Sequence, residues 1–214
     1  MSAGINLFTL TEIERNLGVD ALAEMSSLFS CPLNIDIEDY LKNPKRARNS
    51  SLMSSSVTYL ALEKQTGDLL GYFTLMMKAY SVEAKQLSSK NRRLVERFGE
   101  VNENGKFIAP VYLIGQLGKN YAIPEERRVS GEELLRLALG LFRGTKKVLG
   151  GKLVMVEREA VCPKLQEFYT KNGFKSWTRR INEKEGKKKV EFDQMFAVLN
   201  DEPPNRRSRI VRQS

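Results

Sequence analysis

At 214 residues, 41% of them apolar, the chain suits one globular domain with extensions and is too apolar for wholesale disorder. Its 35 Lys and Arg against 26 Asp and Glu give a formal charge of +9, which either meets an anionic partner or keeps the protein in solution. The absence of histidine excludes Ser-His and Cys-His nucleophile pairs and His-containing metal sites; the two isolated cysteines, Cys31 and Cys162, exclude a zinc finger and read as reduced thiols.

No apolar run reaches membrane-spanning length, and the first residues lack a basic-then-apolar leader pattern, so a cytoplasmic protein without membrane contact or bound metal is expected. In chain order, a short strand is predicted around Ile5–Leu10, followed by helical material at Ala21–Phe29 and Ile35–Leu41. Val57–Leu62 and Leu70–Met77 are β-rich runs flanking Gln65-Thr-Gly-Asp68, the pattern of an antiparallel hairpin. Residues 83–106 are polar and charged, read as a helix and then a loop at Asn102–Gly105, an insertion within the domain. Pro110–Leu117 reads as a strand. An amphipathic helix follows from Gly131, with Leu134, Leu135, Leu137, Ala138, Leu141 and Phe142 on one face, ending at or soon after Gly144. Ser130 with Glu133 forms a candidate capping box at its start. Lys152–Glu157 returns as a buried strand, and Pro163 opens a second helix that Gly173 closes as a left-handed cap. Phe174–Ile181 and Val190–Leu199 read as strands around a charged turn at Glu183–Lys187. The strand–helix–strand centre predicts a parallel pair inside a mixed α/β sheet, in one domain spanning 1–199 with a mobile basic tail over 200–214.

Two constellations carry chemistry. Arg127-Arg128-Val129-Ser130-Gly131 precedes the first helix, whose N-terminal N–H groups suit phosphate oxygens. Glu132 and Glu133 oppose an anion there, and the same pattern also describes an ordinary capped helix. The second is Pro163-Lys-Leu-Gln-Glu-Phe168-Tyr169-Thr-Lys-Asn-Gly173-Phe174, in which Leu165, Phe168 and Tyr169 share a helix face. A phenol in a half-buried cleft can donate a proton to a leaving group, and it can equally be a packed aromatic.

Together these residues resemble the GNAT superfamily of N-acetyltransferases, over roughly residues 57–199. The family's Arg/Gln-x-x-Gly-x-Gly/Ala loop is matched by Arg128-Val-Ser-Gly131-Glu-Glu133, with Glu133 in place of a small residue. Its Phe-Tyr-x-x-x-Gly-Phe motif is complete at Phe168-Tyr169-Thr-Lys-Asn-Gly173-Phe174. Within the superfamily, Phe29–Leu41 with the basic residues after it, and the strand Gly71–Leu75, look like the GNAT toxins of toxin–antitoxin modules.

The resemblance implies a mostly antiparallel sheet and acetyl-CoA as cosubstrate. It implies that the strand end at Leu117, Gly118 and Lys119 pairs with the pantetheine arm. Arg127, Arg128, Val129, Ser130, Gly131 and Glu132 would hold the pyrophosphate, the N–H of Leu117 would polarise the thioester carbonyl, and Tyr169 would act as general acid. The toxin likeness implies aminoacyl-tRNA as acceptor, a small antitoxin partner and a homodimer. A protein N-terminus, a polyamine or a small metabolite is an alternative acceptor, and an inactive RNA- or protein-binding module is an alternative of another class. An α-amine with a pKa near 8 is partly neutral at pH 7, which favours it over lysine in an enzyme without histidine. Basic clusters at 42–48, 92–97, 175–189 and 206–212 suit a polyanionic acceptor or a solvated surface.

Overall fold

The structure, a computed structural model, describes residues 4–182 and 189–200, without the side chains of residues 94 and 95. The turn expected at Glu183–Lys187 and the tail beyond Asn200 lie outside the described residues. Among the described residues eight strands form one sheet, β1 (Ile5–Thr9), β2 (Val57–Glu63), β3 (Leu69–Glu83), β4 (Glu100–Val101), β5 (Lys106–Lys119), β6 (Leu153–Glu159), β7 (Lys175–Asn182) and β8 (Val190–Val198). Their order is β1-β2-β3-β5-β6-β8-β7, with β4 on the edge of β5. Every pairing is antiparallel except β5 with β6, so the mixed α/β sheet expected from the sequence is present.

The helices are α1 (Leu10–Leu17), α2 (Val19–Ser27), α3 (Ile35–Lys42), α4 (Ala47–Leu52), α5 (Ser89–Val95), α6 (Gly131–Leu149) and α7 (Pro163–Lys171). Alternation along the strands assigns the faces. Ala61, Tyr112, Ile114, Val154 and Val156 meet Leu134, Leu135, Ala138 and Phe142 of α6 on one face. On the other, Leu60, Leu62 and Tyr72 pack under α1–α4, while Val111, Leu113, Met155 and Phe196 pack with Tyr80, Phe107 and Trp177.

Three boundaries differ from the sequence reading, each for a local reason. Leu10 belongs to α1, because Thr9 is an N-cap with a complete capping box: its hydroxyl accepts from the Glu12 N–H at 3.1 Å, and the Glu12 carboxylate accepts from the Thr9 N–H at 2.6 Å. Helix α6 runs past Gly144 to Leu149. Gly140 and Gly144 sit on its open side, where their cost of about 1 kcal/mol each is outweighed by the buried face, and Gly150 ends it at φ 73°. Strands β3 and β5 pair as far as Glu83 and Lys106. Residues 84–105 therefore cap a long hairpin arm, with α5 and the turn at Gly105 (φ 71°) inside it.

Candidate active site

The site begins with an irregularity in β5. Leu75 pairs with Ile114 but Thr74 pairs with Gln116, so Gly115 is an extra residue, a β-bulge. The bulge shifts side-chain alternation by one, which brings Leu117 to the α6 face together with Ile114. It also marks where β5 leaves β6. Their parallel pairing covers only Tyr112–Ile114 against Val154–Val156, after which the strands separate. On that side, the backbone of Gly115–Lys119 has no strand partner among the described residues. Gly115 was not singled out from the sequence, although a glycine inside an otherwise strand-like run is the usual signal of a bulge.

Gly118 and Lys119 close this strand end. A Cβ on Gly118 would lie 2.5 Å from Ile37 Cγ2, so its glycine is needed for α3 to pack on the sheet. Lys119 Nζ lies 4.9 Å from the centre of the Tyr121 ring. Asn120 then ties the strand end to the N-terminal region. Its buried amide accepts from the N–H of Ser30 at 2.9 Å and of Ala122 at 3.0 Å, and donates to Leu69 O at 2.8 Å. No sequence signal marked it.

The loop before α6 ties both of its arginines to other parts of the protein. Arg127 bridges Glu63 and Asp68 across the β2–β3 turn, and its guanidinium holds both carboxyls below the usual carboxylate range. Arg128 donates to Ile123 O at 2.8 Å and Tyr121 O at 3.2 Å, with its guanidinium 5.0 Å from the Tyr121 ring centre. Ser130 Oγ accepts from the Glu133 N–H at 3.0 Å. The Glu133 carboxylate completes no box; it leans to Arg136 at 3.8 Å, and Glu132 is exposed. The backbone N–H groups of Val129, Ser130, Gly131 and Glu132 have no acceptor among the described residues. They form the open positive end of a 19-residue helix.

Helix α7 brings the second motif onto this loop. Its buried residue is Tyr169, with Phe168 half-buried. Leu165, read on the same helix face as Phe168, is exposed, and the buried contact is made one turn later by Tyr169. The C-terminal end of α7 is a Schellman motif: the Gly173 N–H donates to Thr170 O and the Phe174 N–H to Tyr169 O, each at 3.0 Å, with Gly173 at φ 87°. The accompanying hydrophobic contact is Tyr169 with Phe174, ring centres 5.5 Å apart. The Phe168 ring lies over Gly131, 3.3 Å from where a Cβ would stand. Two motifs 37 residues apart in sequence therefore meet. Tyr169 has no hydrogen-bond partner among the described residues, and burial pushes its phenol up to about 12.

Arg158 was also missed from the sequence. Its buried guanidinium donates to Asp193 at 2.6 Å and to the carbonyls of Glu159 (3.0 Å), Ala160 (3.3 Å) and Cys162 (3.4 Å), bracing the turn that leads into α7. Among the described residues no cluster of acidic or cysteine side chains could hold a metal ion, and no helix is long and apolar enough to cross a membrane.

This architecture, with a bulged strand diverging from its parallel neighbour above a helix N-terminus, is the GNAT fold. Bacterial toxins are among the solved structures it resembles. KacT, as a tyrosine-to-phenylalanine mutant, superposes with a TM-score of 0.61 at 18% identity, over 91% of this chain and 95% of that one. AtaT complexed with acetyl-methionyl-tRNAfMet gives 0.59 at 18%, over 89% and 95%. A mutant AtaT toxin bound to the C-terminus of the antitoxin AtaR and acetyl-CoA gives 0.56 at 15%, over 91% and 93%. No family model and no curated protein matches the sequence.

Proposed function

We propose that this protein is an acetyl-CoA-dependent N-acetyltransferase whose acceptor is the α-amine of an aminoacyl-tRNA. The reading rests above all on the contact of Phe168 with Gly131, which joins the helix carrying the buried, protonated Tyr169 to the helix end whose N–H groups lack acceptors among the described residues. The residues fit the cosubstrate. The N–H groups of Val129, Ser130, Gly131 and Glu132, with the backbones of Arg127 and Arg128 shaping the loop, suit a pyrophosphate. Both guanidinia are already engaged by protein groups, so the backbone supplies the donors. The free edge of β5 at Leu117, Gly118 and Lys119 suits the amides of a pantetheine arm, and the N–H of Leu117 would polarise a carbonyl.

Acetyl-CoA supplies a thioester activated towards amines. In this reading Tyr169 keeps its proton at neutral pH and donates it to the sulfur as the C–N bond forms and the C–S bond breaks; the acylated nitrogen releases its proton to solvent, and water reprotonates the phenolate. The acceptor amine needs no histidine, because an α-amine near pKa 8 is partly neutral at pH 7.

Two of the solved structures it resembles support the finer parts of the reading. One is a complex with an acetylated aminoacyl-tRNA, another a complex with an antitoxin and acetyl-CoA. A small antitoxin protein is accordingly a proposed partner, and a second copy of the chain is proposed from the toxin likeness of the sequence alone. Leu28, Leu33, Ile35 and Met53 offer exposed apolar side chains for such contacts.

The test is incubation with labelled acetyl-CoA and a total tRNA pool, aminoacylated or not. Label on the aminoacylated pool alone is the expected result. Label on neither, with acetyl-CoA still bound, would move the acceptor to a protein or metabolite amine.

A further inference from the structure

We propose that the cleft between α5 and the start of β7 is a docking site for the phosphate backbone of RNA. The proposal rests on the reading of the acceptor as a tRNA and adds where its body would be held while its reactive end meets Tyr169. The cleft has a volume of about 470 Å³ and is lined by Ser89, Lys90, Asn91, Arg93, Arg97 and Lys175, four cations and no carboxylate. None of the four has an acidic partner among the described residues. By contrast, Arg46, Arg48, Arg127, Arg158, Arg179 and Arg180 each sit on a carboxylate.

Like charges gathered within a Debye length, about 8–10 Å at physiological salt, repel one another until an anion joins them. The cations are not on a free loop. Helix α5 is fastened by Arg92, which donates to Ala84 O at 2.8 Å, and by the Asn91 N–H, which donates to Ser88 Oγ at 3.2 Å. Arg93 lies on α5 and Arg97 in the turn that follows it.

The other wall leads to the reaction centre. Lys175 directly follows Phe174, whose ring packs on Tyr169 with centres 5.5 Å apart. The neighbouring cavity of about 260 Å³ differs: its cations Lys106, Arg179 and Arg180 are met by Glu83, Glu191 and Glu157, so of the two the unpaired cations are those of the first cleft. Four separated cations with two neutral side chains, Ser89 and Asn91, suit a chain of phosphates read without regard to base sequence.

The experiment measures binding of a fluorescent, non-aminoacylated tRNA pool by the full chain against salt concentration, for the wild type and the K90Q/R93Q/R97Q variant. All three positions are exposed, and thermal melting checks that the variant folds. Expected for the variant are an affinity lower by about tenfold or more at ~0.1 M salt, a log–log salt slope shallower by about 2 units, and unchanged acetyl-CoA binding. Equal affinity and slope for the two proteins would overturn the cleft and leave the acceptor reading standing. A wild type that transfers acetyl groups to a small amine but binds no tRNA would overturn both. If the wild type binds tRNA through the cleft yet leaves aminoacyl-tRNA unacetylated, the cleft stands and the acceptor reading falls.

Discussion

The loop before α6 and the end of α7 form the two halves of the candidate site, and they divide their work in opposite ways. In the loop, side chains hold the fold: Arg127 staples the β2–β3 turn, Arg128 ties down the carbonyls of Tyr121 and Ile123, and the backbone N–H groups are left without acceptors among the described residues. At the end of α7 the backbone holds the fold, through the Schellman bonds to Tyr169 O and Thr170 O, and a side chain is presented. The difference teaches that a residue's place in a motif does not say which of its atoms reaches the ligand. What its other atoms are bonded to decides that.

Removing the presented side chain should have the largest effect. Tyr169→Phe is expected to lower turnover by about 10²-fold or more, the scale of a lost general acid, with little change in melting temperature. Gly131→Val acts on the other half. Its Cβ would already crowd Phe168 at 3.3 Å, and the added methyls would cover the donor row. The KM for acetyl-CoA is expected to rise about tenfold, or roughly 1.4 kcal/mol.

Gly173→Ala tests the claim that the backbone of α7 is structural. At φ 87° an L side chain costs about 1–2 kcal/mol, so denaturant titration should show that loss while activity per folded molecule stays the same. Arg127→Gln is expected to change acetyl-CoA affinity less than about twofold. A guanidinium that bound phosphate directly would cost about tenfold or more, and such a loss would reverse the assignment of the loop.

The smallest expected effect is of pH. The Tyr169 phenol is raised to about 12, so its proton is retained well above the ordinary tyrosine range. The rate should rise as the acceptor amine deprotonates near pH 8 and should not fall again by about pH 10. A falling limb near 10 would mean that the phenol is solvated during turnover.

The features legible in the sequence were those that local chemistry dictates. Pro163 and Gly173 bracket α7 because one lacks an N–H and the other accepts positive φ. Ser130 marks the first turn of α6 for a similar reason. What stayed hidden depends on partners far along the chain. The commitment of Arg127 depends on Glu63 and Asp68, some sixty residues away. The bracing of the turn before α7 depends on Arg158 finding Asp193 across the β6–β8 pair. The length of the arm was obscured because its polar edge hides Tyr80, Val82 and Phe107, which are buried only once β3 and β5 fold over the sheet.

The most direct test is a single-turnover assay in which labelled acetyl-CoA and an aminoacylated tRNA pool are mixed with the wild type or with Tyr169→Phe, with non-aminoacylated tRNA as control. Label transferred by the wild type to the aminoacylated pool alone, and slowed about 10²-fold or more by the substitution, is the predicted result. Equal transfer by both proteins, or none by the wild type, would contradict the account.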